Sequence, residues 1–239
     1  MIGIRLGITE CSENLQEIMA QLTTPSLLSS TDFYLACGTV TVDPTRRKVL
    51  IILDRQTGTY QLPRGRKDWG ETLEATAERE TLEETGVRCT LLPVPLSTRA
   101  TLPSPALRDP SHPLHTAAQG ARSADAAGDV LAAGSALLAE PFALMQHVQP
   151  AGGALAVVLW YVAVADSEAP LAQGTQMADE DYETRWVAYG EAAVLMVNEE
   201  YAGVVTKGID LARALEEAPG AGVGPTTASD EVGGSPLRG

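Results

Sequence analysis

The segment at residues 62–87, LPRGRKDWGETLEATAERETLEETGV, constrains the fold of this chain more than any other. Its residues 71–85 contain no proline or glycine, which predicts a helix. Gly86 follows at the position where a helix often ends in a left-handed residue. Three basic residues surround Gly65 before the helix, and we expect a loop there.

Apolar segments on both sides of this helix predict a sheet. The predicted strands lie at residues 33–42, 48–54, 87–94, 141–149, 155–165 and 184–188, with a short extended piece at 60–62. Apolar or small residues share one helical face at 198–218, and a shorter amphipathic helix is predicted at 12–22. Together these elements predict one α/β domain with a mixed sheet and helices packed against it.

The remaining segments differ in composition from this domain. We expect an N-terminal helix and linker at residues 1–31, the domain at 32–218 and a disordered tail at 219–239. Residues 103–139, at about these bounds, are dense in Ala, Gly, Ser, Pro and Asp, which predicts a low-complexity insertion at the surface.

Charge and cysteine content exclude several classes of function. The net charge of −14 argues against general nucleic-acid binding and against attachment to an anionic membrane, because both need a positive surface. The three cysteines form no CxxC pair, which indicates reduced thiols. We therefore expect a soluble cytoplasmic protein, with the nucleus as the alternative compartment, and the oligomeric state stays open.

Three glutamates of the predicted helix form an unusual cluster. Glu80 and Glu84 lie one turn apart on the same face, and Glu83 flanks them. Like charges at this spacing repel each other, so the face is either solvated or holds a cation. Hard divalent ions such as Mg²⁺ accept carboxylate oxygens as ligands.

The spacing of residues around these glutamates favours a bound cation over a solvated face. Glycines, charged residues and one aliphatic follow the pattern G-x5-E-x7-R-E-U-x-E-E-x-G-U, where U is a bulky aliphatic residue. The matching positions are Gly65, Glu71, Arg79, Glu80, Glu83, Glu84, Gly86 and Val87. This pattern resembles the signature of the Nudix hydrolases, and only Thr81 departs from it, where a large aliphatic is usual.

The resemblance implies a fold, a metal site and a reaction. The fold would be an α/β/α sandwich around a mixed sheet, and the reaction would be metal-dependent hydrolysis of a phosphoanhydride bond. Glu80, Glu83 and Glu84, helped by the carbonyl of Gly65, would hold Mg²⁺ or Mn²⁺. Glu71 and Arg79 would form an ion pair between loop and helix. From its position on the helix, Arg79 is expected to point away from Glu80 and Glu84.

The general base is left open by the sequence. Candidates inside the helix are Glu80 and Glu83. Candidates outside it are Glu140, Glu180, Asp181 and Glu183, although a solvated acidic turn is an equally good interpretation of the last three.

Basic residues cluster in the acidic chain. Seven of its 17 Lys and Arg residues lie between positions 46 and 67: Arg46, Arg47, Lys48, Arg55, Arg64, Arg66 and Lys67. Arg55, Arg64, Arg66 and Lys67 are the predicted substrate-binding residues, because Lys and Arg bind phosphate well. Trp69 is expected to pack against the helix start, with stacking on a base as the alternative.

The predicted partner is therefore a phosphorylated small molecule. The PRGR run followed by RET resembles fungal Nudix proteins related to diphosphoinositol polyphosphate and diadenosine polyphosphate hydrolases, which makes those substrate classes the first choice. An ADP-ribose or nucleotide-sugar pyrophosphatase is the alternative within the enzymes. A Nudix module that binds its ligand without turnover is a third interpretation.

Overall fold

The computed structural model describes residues 27–98, 100, 111, 137–149 and 153–217. The predicted helix at 12–22 and the tail at 219–239 lie outside these residues, as does most of the segment at 103–139. The predicted domain boundaries therefore stay predictions. Within the described residues, no helix is both long and apolar enough to cross a membrane.

Ten strands and three helices make up the described part of the chain. The strands are β1 Phe33–Asp43, β2 Lys48–Asp54, β3 Thr59–Gln61, β4 Arg64–Arg66, β5 Thr90–Leu91, β6 Val94–Pro95, β7 Leu137–Leu138, β8 Ala143–Val148, β9 Leu155–Val164 and β10 Tyr182–Ala188. The helices are α1 Leu73–Thr85, α2 Tyr189–Leu195 and α3 Glu199–Glu217.

The main sheet is mixed and has the order β10-β2-β1-β9-β5. Strand β1 pairs in parallel with β9 along ten residue positions, and the other pairs in this sheet are antiparallel. Strands β3, β4 and β8 extend it by pairing with β2, β1 and β9. The opposite edge of β1 pairs with β2 near Asp43 and with β4 near Cys37, so β4 lies beside the middle of the sheet.

Helices cover both faces of the sheet, because successive side chains of a strand point to opposite sides. Val40 belongs to the large core cluster that includes Val205 of α3, whereas Cys37 packs with Ala77 of α1. Gly208 lets α3 approach closely, since a Cβ there would lie 2.7 Å from the Cβ of Val40. The predicted α/β/α sandwich is therefore confirmed.

Thr81 fits its buried position through hydrogen bonds. Its hydroxyl lies 2.7 Å from that of Thr39, which lies 2.7 Å from that of Thr41, and Thr81 also donates to the carbonyl of Ala77. Strand β1 thus presents hydroxyls to α1 where an aliphatic contact is usual. The departure from the signature at Thr81 is compensated by β1, because buried polar groups are tolerated when they are paired.

The structure corrects three sequence predictions of local structure. The helix predicted from residue 71 begins at Leu73, because Thr72 caps it by accepting a hydrogen bond from the Ala75 N–H. The loop predicted at Gly65 is strand β4. The strand predicted at 87–94 is reduced to the short β5 and β6, and helix α2 was not predicted.

Candidate active site

Gly65 brings strand β4 against the carboxylate of Glu80. It pairs with Cys37 of β1 and lies on the α1 side of the sheet. A Cβ at this position would lie only 2.0 Å from Glu80 Oε2. The absence of a side chain at Gly65 therefore makes room for the glutamate, and it leaves the β4 backbone next to a carboxylate.

Glu84 lies one turn further along α1 and is bound by the same strand. The backbone N–H of Arg64 donates to Glu84 Oε2 at 2.9 Å. Burial raises the Glu84 pKa well above its usual range, and the Arg64 N–H and charge only partly oppose this effect. A carboxyl group in such surroundings is favourable as an anion only if a cation compensates the lost hydration.

Glu80 is similarly buried, with 8% of its surface exposed. Burial raises its pKa to about 6, although Arg79 lowers it and the neighbouring charges of Glu83 and Glu180 raise it. The two stacked glutamates predicted from the helical spacing therefore lie together against β4, in surroundings that favour additional positive charge.

Arg79 joins the loop before α1 to the glutamate cluster. Its Nε donates to Glu71 Oε1 at 2.8 Å and its Nη2 to Glu71 Oε2 at 3.0 Å, which is the predicted ion pair. Its Nη2 also donates to the carbonyl of Arg66 at 2.8 Å. The Arg79 guanidinium, with further hydrogen bonds from Asp68 N–H and the Thr76 hydroxyl, lowers the Glu71 pKa to about 2.

The predicted separation of Arg79 from the cluster is wrong. Its Nη1 donates to Glu80 Oε1 at 2.8 Å and to Glu83 Oε2 at 2.7 Å. The prediction considered only where the Cα–Cβ bond points on the helix. Because arginine is long and carries five donors in a planar fork, one guanidinium serves the loop and the helix at once.

Of the outer acidic residues, Glu180 acts electrostatically on the glutamate cluster. Its charge raises the pKa of both Glu80 and Glu84. A turn holds it, since Glu180 Oε2 accepts the Met177 N–H at 2.9 Å. Asp181 and Glu183 instead lie within 3.5 Å of Arg55.

The predicted phosphate-binding residues do not form one group. Arg64 Nε donates to the hydroxyl of Tyr201 on α3 at 2.5 Å. The guanidinium of Arg66 lies 4.1 Å from the ring centre of Tyr34. Lys67 Nζ donates to the carbonyl of Asp68 at 2.9 Å.

Arg55 lies apart from those three and is paired with the acidic turn at Asp181 and Glu183. The structure therefore keeps Arg64, Arg66 and Lys67 on or beside β4, next to Gly65, and moves Arg55 away from them.

Comparison with known proteins gives this geometry a family. Residues 33–129 match the family model described as the NUDIX domain. This segment of the chain is therefore similar to a Nudix domain. The match includes β1, β4 and the whole of α1, and it confirms the general class predicted from the sequence, a Nudix-type pyrophosphohydrolase.

Other known proteins add little to this assignment. No curated protein matches the sequence. Among solved structures, a NUDIX-family hydrolase from Clostridium perfringens is similar at 17% identity with a TM-score of 0.47, covering 75% of this chain and 97% of its own. A NUDIX hydrolase from Nitrosomonas europaea has 11% identity and a TM-score of 0.43, covering 76% and 89%.

The E. coli dihydroneopterin triphosphate pyrophosphohydrolase has 14% identity and a TM-score of 0.42, covering 73% of this chain and 95% of its own. With TM-scores below 0.5, these likenesses carry no conclusion about this chain.

Nudix hydrolases generally use a divalent metal, and the acidic residues of this site are of the kind that binds one. Three carboxylates and a backbone carbonyl are the hard oxygen ligands that Mg²⁺ and Mn²⁺ accept. The buried Glu80 and Glu84 also lack full compensation of their charge. Among the described residues, however, no three acidic, His or Cys side chains are already arranged to hold an ion. Arg79 pairs with Glu80 and Glu83, so these two carboxylates are directed to the guanidinium.

Sequence reasoning missed two features of the Nudix site. Tyr201 reaches Arg64 from α3, and a separation of 137 positions leaves no local signal for that contact. Trp69 was expected to pack against the helix start, but its side chain is fully exposed. That prediction is wrong, because a fully exposed side chain does not pack against the helix start.

Proposed function

We propose that this protein is a divalent-metal-dependent hydrolase of phosphoanhydride bonds in highly phosphorylated small molecules. The observation that carries the proposal is the burial of Glu80 and Glu84 against Arg64 and Gly65 of β4. A buried acidic pair that contacts one backbone donor and a glycine is costly without a cation, and it suits a protein that binds one.

Glu80, Glu83 and Glu84 would hold Mg²⁺ or Mn²⁺, with the Gly65 carbonyl as a further ligand. When bound, the metal neutralises phosphate oxygens and lowers the pKa of a coordinated water. Arg79 would then give up the hydrogen bonds from its Nη1 to Glu80 and Glu83. The hydrogen bonds from its Nε and Nη2 to Glu71 would remain. Glu71 therefore acts as a positioning residue in this proposal.

Glu180 is our proposed general base. Its charge raises the pKa of both buried glutamates, although it lies outside α1 and is not among the hydrogen-bond partners of Arg79. Its carboxylate accepts only the Met177 N–H among the hydrogen bonds of the described residues, so an oxygen is left to take a proton from water. Glu183 is less suitable, because Arg185 and Arg55 both pair with it and lower its pKa.

The basic residues of β4 support a substrate with several phosphates. Arg64 and Arg66 flank Gly65 directly, and Lys67 follows them. Such a cluster in a chain of net charge −14 favours a diphosphoinositol polyphosphate or a dinucleoside polyphosphate. An ADP-ribose or nucleotide-sugar pyrophosphatase is the alternative, since it needs fewer cations.

A substrate panel with Mg²⁺ or Mn²⁺ tests the proposal. We expect phosphate-containing products from highly phosphorylated substrates, and at least a 10²-fold lower rate for Glu84→Gln with an unchanged folded state. Glu74→Gln, on the exposed side of the same helix, is the control and should keep its rate. Preference for ADP-ribose or NADH would reject the substrate class, and a Glu84→Gln variant as active as wild type would reject the site.

Binding without turnover on the whole panel would favour a ligand-binding module instead. The complete set of Glu80, Glu83 and Glu84 argues against that interpretation, because a module that only binds has less need of all three.

A further inference from the structure

Trp69 is presented to solvent by a closed turn. The turn runs from Asp68 to Glu71, and the Glu71 N–H donates to the Asp68 carbonyl at 3.4 Å. Gly70 takes a φ of +74°, which side chains rarely adopt. Asp68 N–H in turn donates to Glu71 Oε2 at 3.0 Å. The backbone below Trp69 is therefore held in place, although its indole is fully exposed within the described part of the chain.

A cleft of about 450 Å³ lies beside this tryptophan. Phe33, Tyr34 and Trp69 supply aromatic surface, and Arg66 and Lys67 supply positive charge. The Arg66 guanidinium lies over the Tyr34 ring at 4.1 Å, so a cation and a ring already share one wall. Rings flanked by cations suit a planar base that is attached to phosphates.

The backbone of β4 links the cleft to the glutamate cluster of α1. Arg66 belongs to the cleft, and its carbonyl accepts Arg79 Nη2 at 2.8 Å. The preceding residue, Gly65, lies against Glu80. One short strand thus connects aromatic surface on one side with the proposed phosphate-cleaving centre on the other.

We propose that this cleft binds a nucleobase of the substrate, with Trp69 as the stacking surface, which favours the dinucleoside polyphosphates over the diphosphoinositol polyphosphates. This inference rests on the proposed function. Arg66 and Lys67 contact the phosphates next to the bound nucleoside, and the polyphosphate chain continues past Gly65 to the glutamates. A diphosphoinositol polyphosphate has no aromatic ring and makes no use of Trp69.

Binding measurements on the full chain with Mg²⁺ test the cleft. The probes are a non-hydrolysable methylene-bridged diadenosine tetraphosphate and base-free methylenediphosphonate, titrated by calorimetry. We expect Trp69→Ala to weaken the dinucleotide about tenfold, the size of one base–aromatic stack, and to leave methylenediphosphonate unchanged. Trp69→Phe should retain most of the affinity, because a ring remains. Val194→Ala, at another exposed apolar site, is the matched control and should bind like wild type.

Four results would overturn the proposal. They are no dinucleotide binding by the wild-type chain, unchanged dinucleotide affinity in Trp69→Ala, equal weakening of both probes, and a Trp69 shielded from acrylamide quenching in the free chain. The last would show that another segment of the chain covers the cleft.

Hydrolysis assays separate this inference from the proposed function. If the chain binds the dinucleotide through Trp69 but cleaves no substrate, the proposed hydrolase function is rejected and the proposed nucleobase site is retained. If Trp69→Ala cleaves dinucleoside polyphosphates as well as wild type does, only the proposed nucleobase site is rejected.

Discussion

The ion pair between Glu71 and Arg79 should contribute measurably to stability, and Glu71→Gln removes its charge while keeping its shape. Glu71 accepts four hydrogen bonds, two of them from Arg79, and its side chain is 13% exposed. These contacts lower its pKa from an ordinary 4.5 to about 2. A difference of about 2.5 in pKa corresponds to about 3 kcal/mol of folding free energy.

The sign of the pH dependence follows from the direction of the change in pKa. The folded state favours the ionised form of Glu71, so its contribution is complete above about pH 4.5 and is lost as the pH falls towards 2. The free energy of unfolding of wild type should therefore exceed that of Glu71→Gln by about 3 kcal/mol at pH 7, and the difference should narrow below about pH 4.5.

Urea unfolding of both proteins at pH 7, 4.5 and 3 measures this difference. Glu74→Gln on the exposed face of α1 is the control, and we expect it to change stability by no more than about 0.5 kcal/mol. A difference between wild type and Glu71→Gln that is absent at pH 7, or that is as large at pH 3 as at pH 7, would refute the assignment of this stability to the charge of Glu71.

Three further substitutions test other parts of the structure. Gly65→Ala should lower the rate at least 10²-fold and change the melting temperature little, because its Cβ meets the flexible end of Glu80 and not the backbone; activity and thermal unfolding measure both effects. Glu180→Gln should lower kcat by about 10²-fold or more without changing KM, and an unchanged kcat would exclude it as the base. Gly208→Ala should destabilise the protein by about 1–3 kcal/mol in urea unfolding because β1 fills the space, whereas Gly203→Ala, which faces open space on the same helix, should not destabilise it.

Much of the architecture and of the site was predictable because its causes are local. The helical spacing that places Glu80 and Glu84 on one face, the end of α1 at Gly86 and the apolar patterns of β1, β2 and β9 all depend on near neighbours. Gly86 indeed takes a φ of +72°. Such features follow from backbone sterics and periodicity, which act within a few residues.

Other features arise from contacts between distant parts of the chain. The sequence alone determined that two glutamates share a helix face, but only the packing of β4 on β1 buries that face against Gly65 and Arg64. Burial, and with it the raised pKa values, is a property of the assembled sheet. The tertiary structure likewise decided that Trp69 lies in solvent and that the charge of Glu180 acts on Glu84, because both depend on where a turn is placed by the rest of the fold.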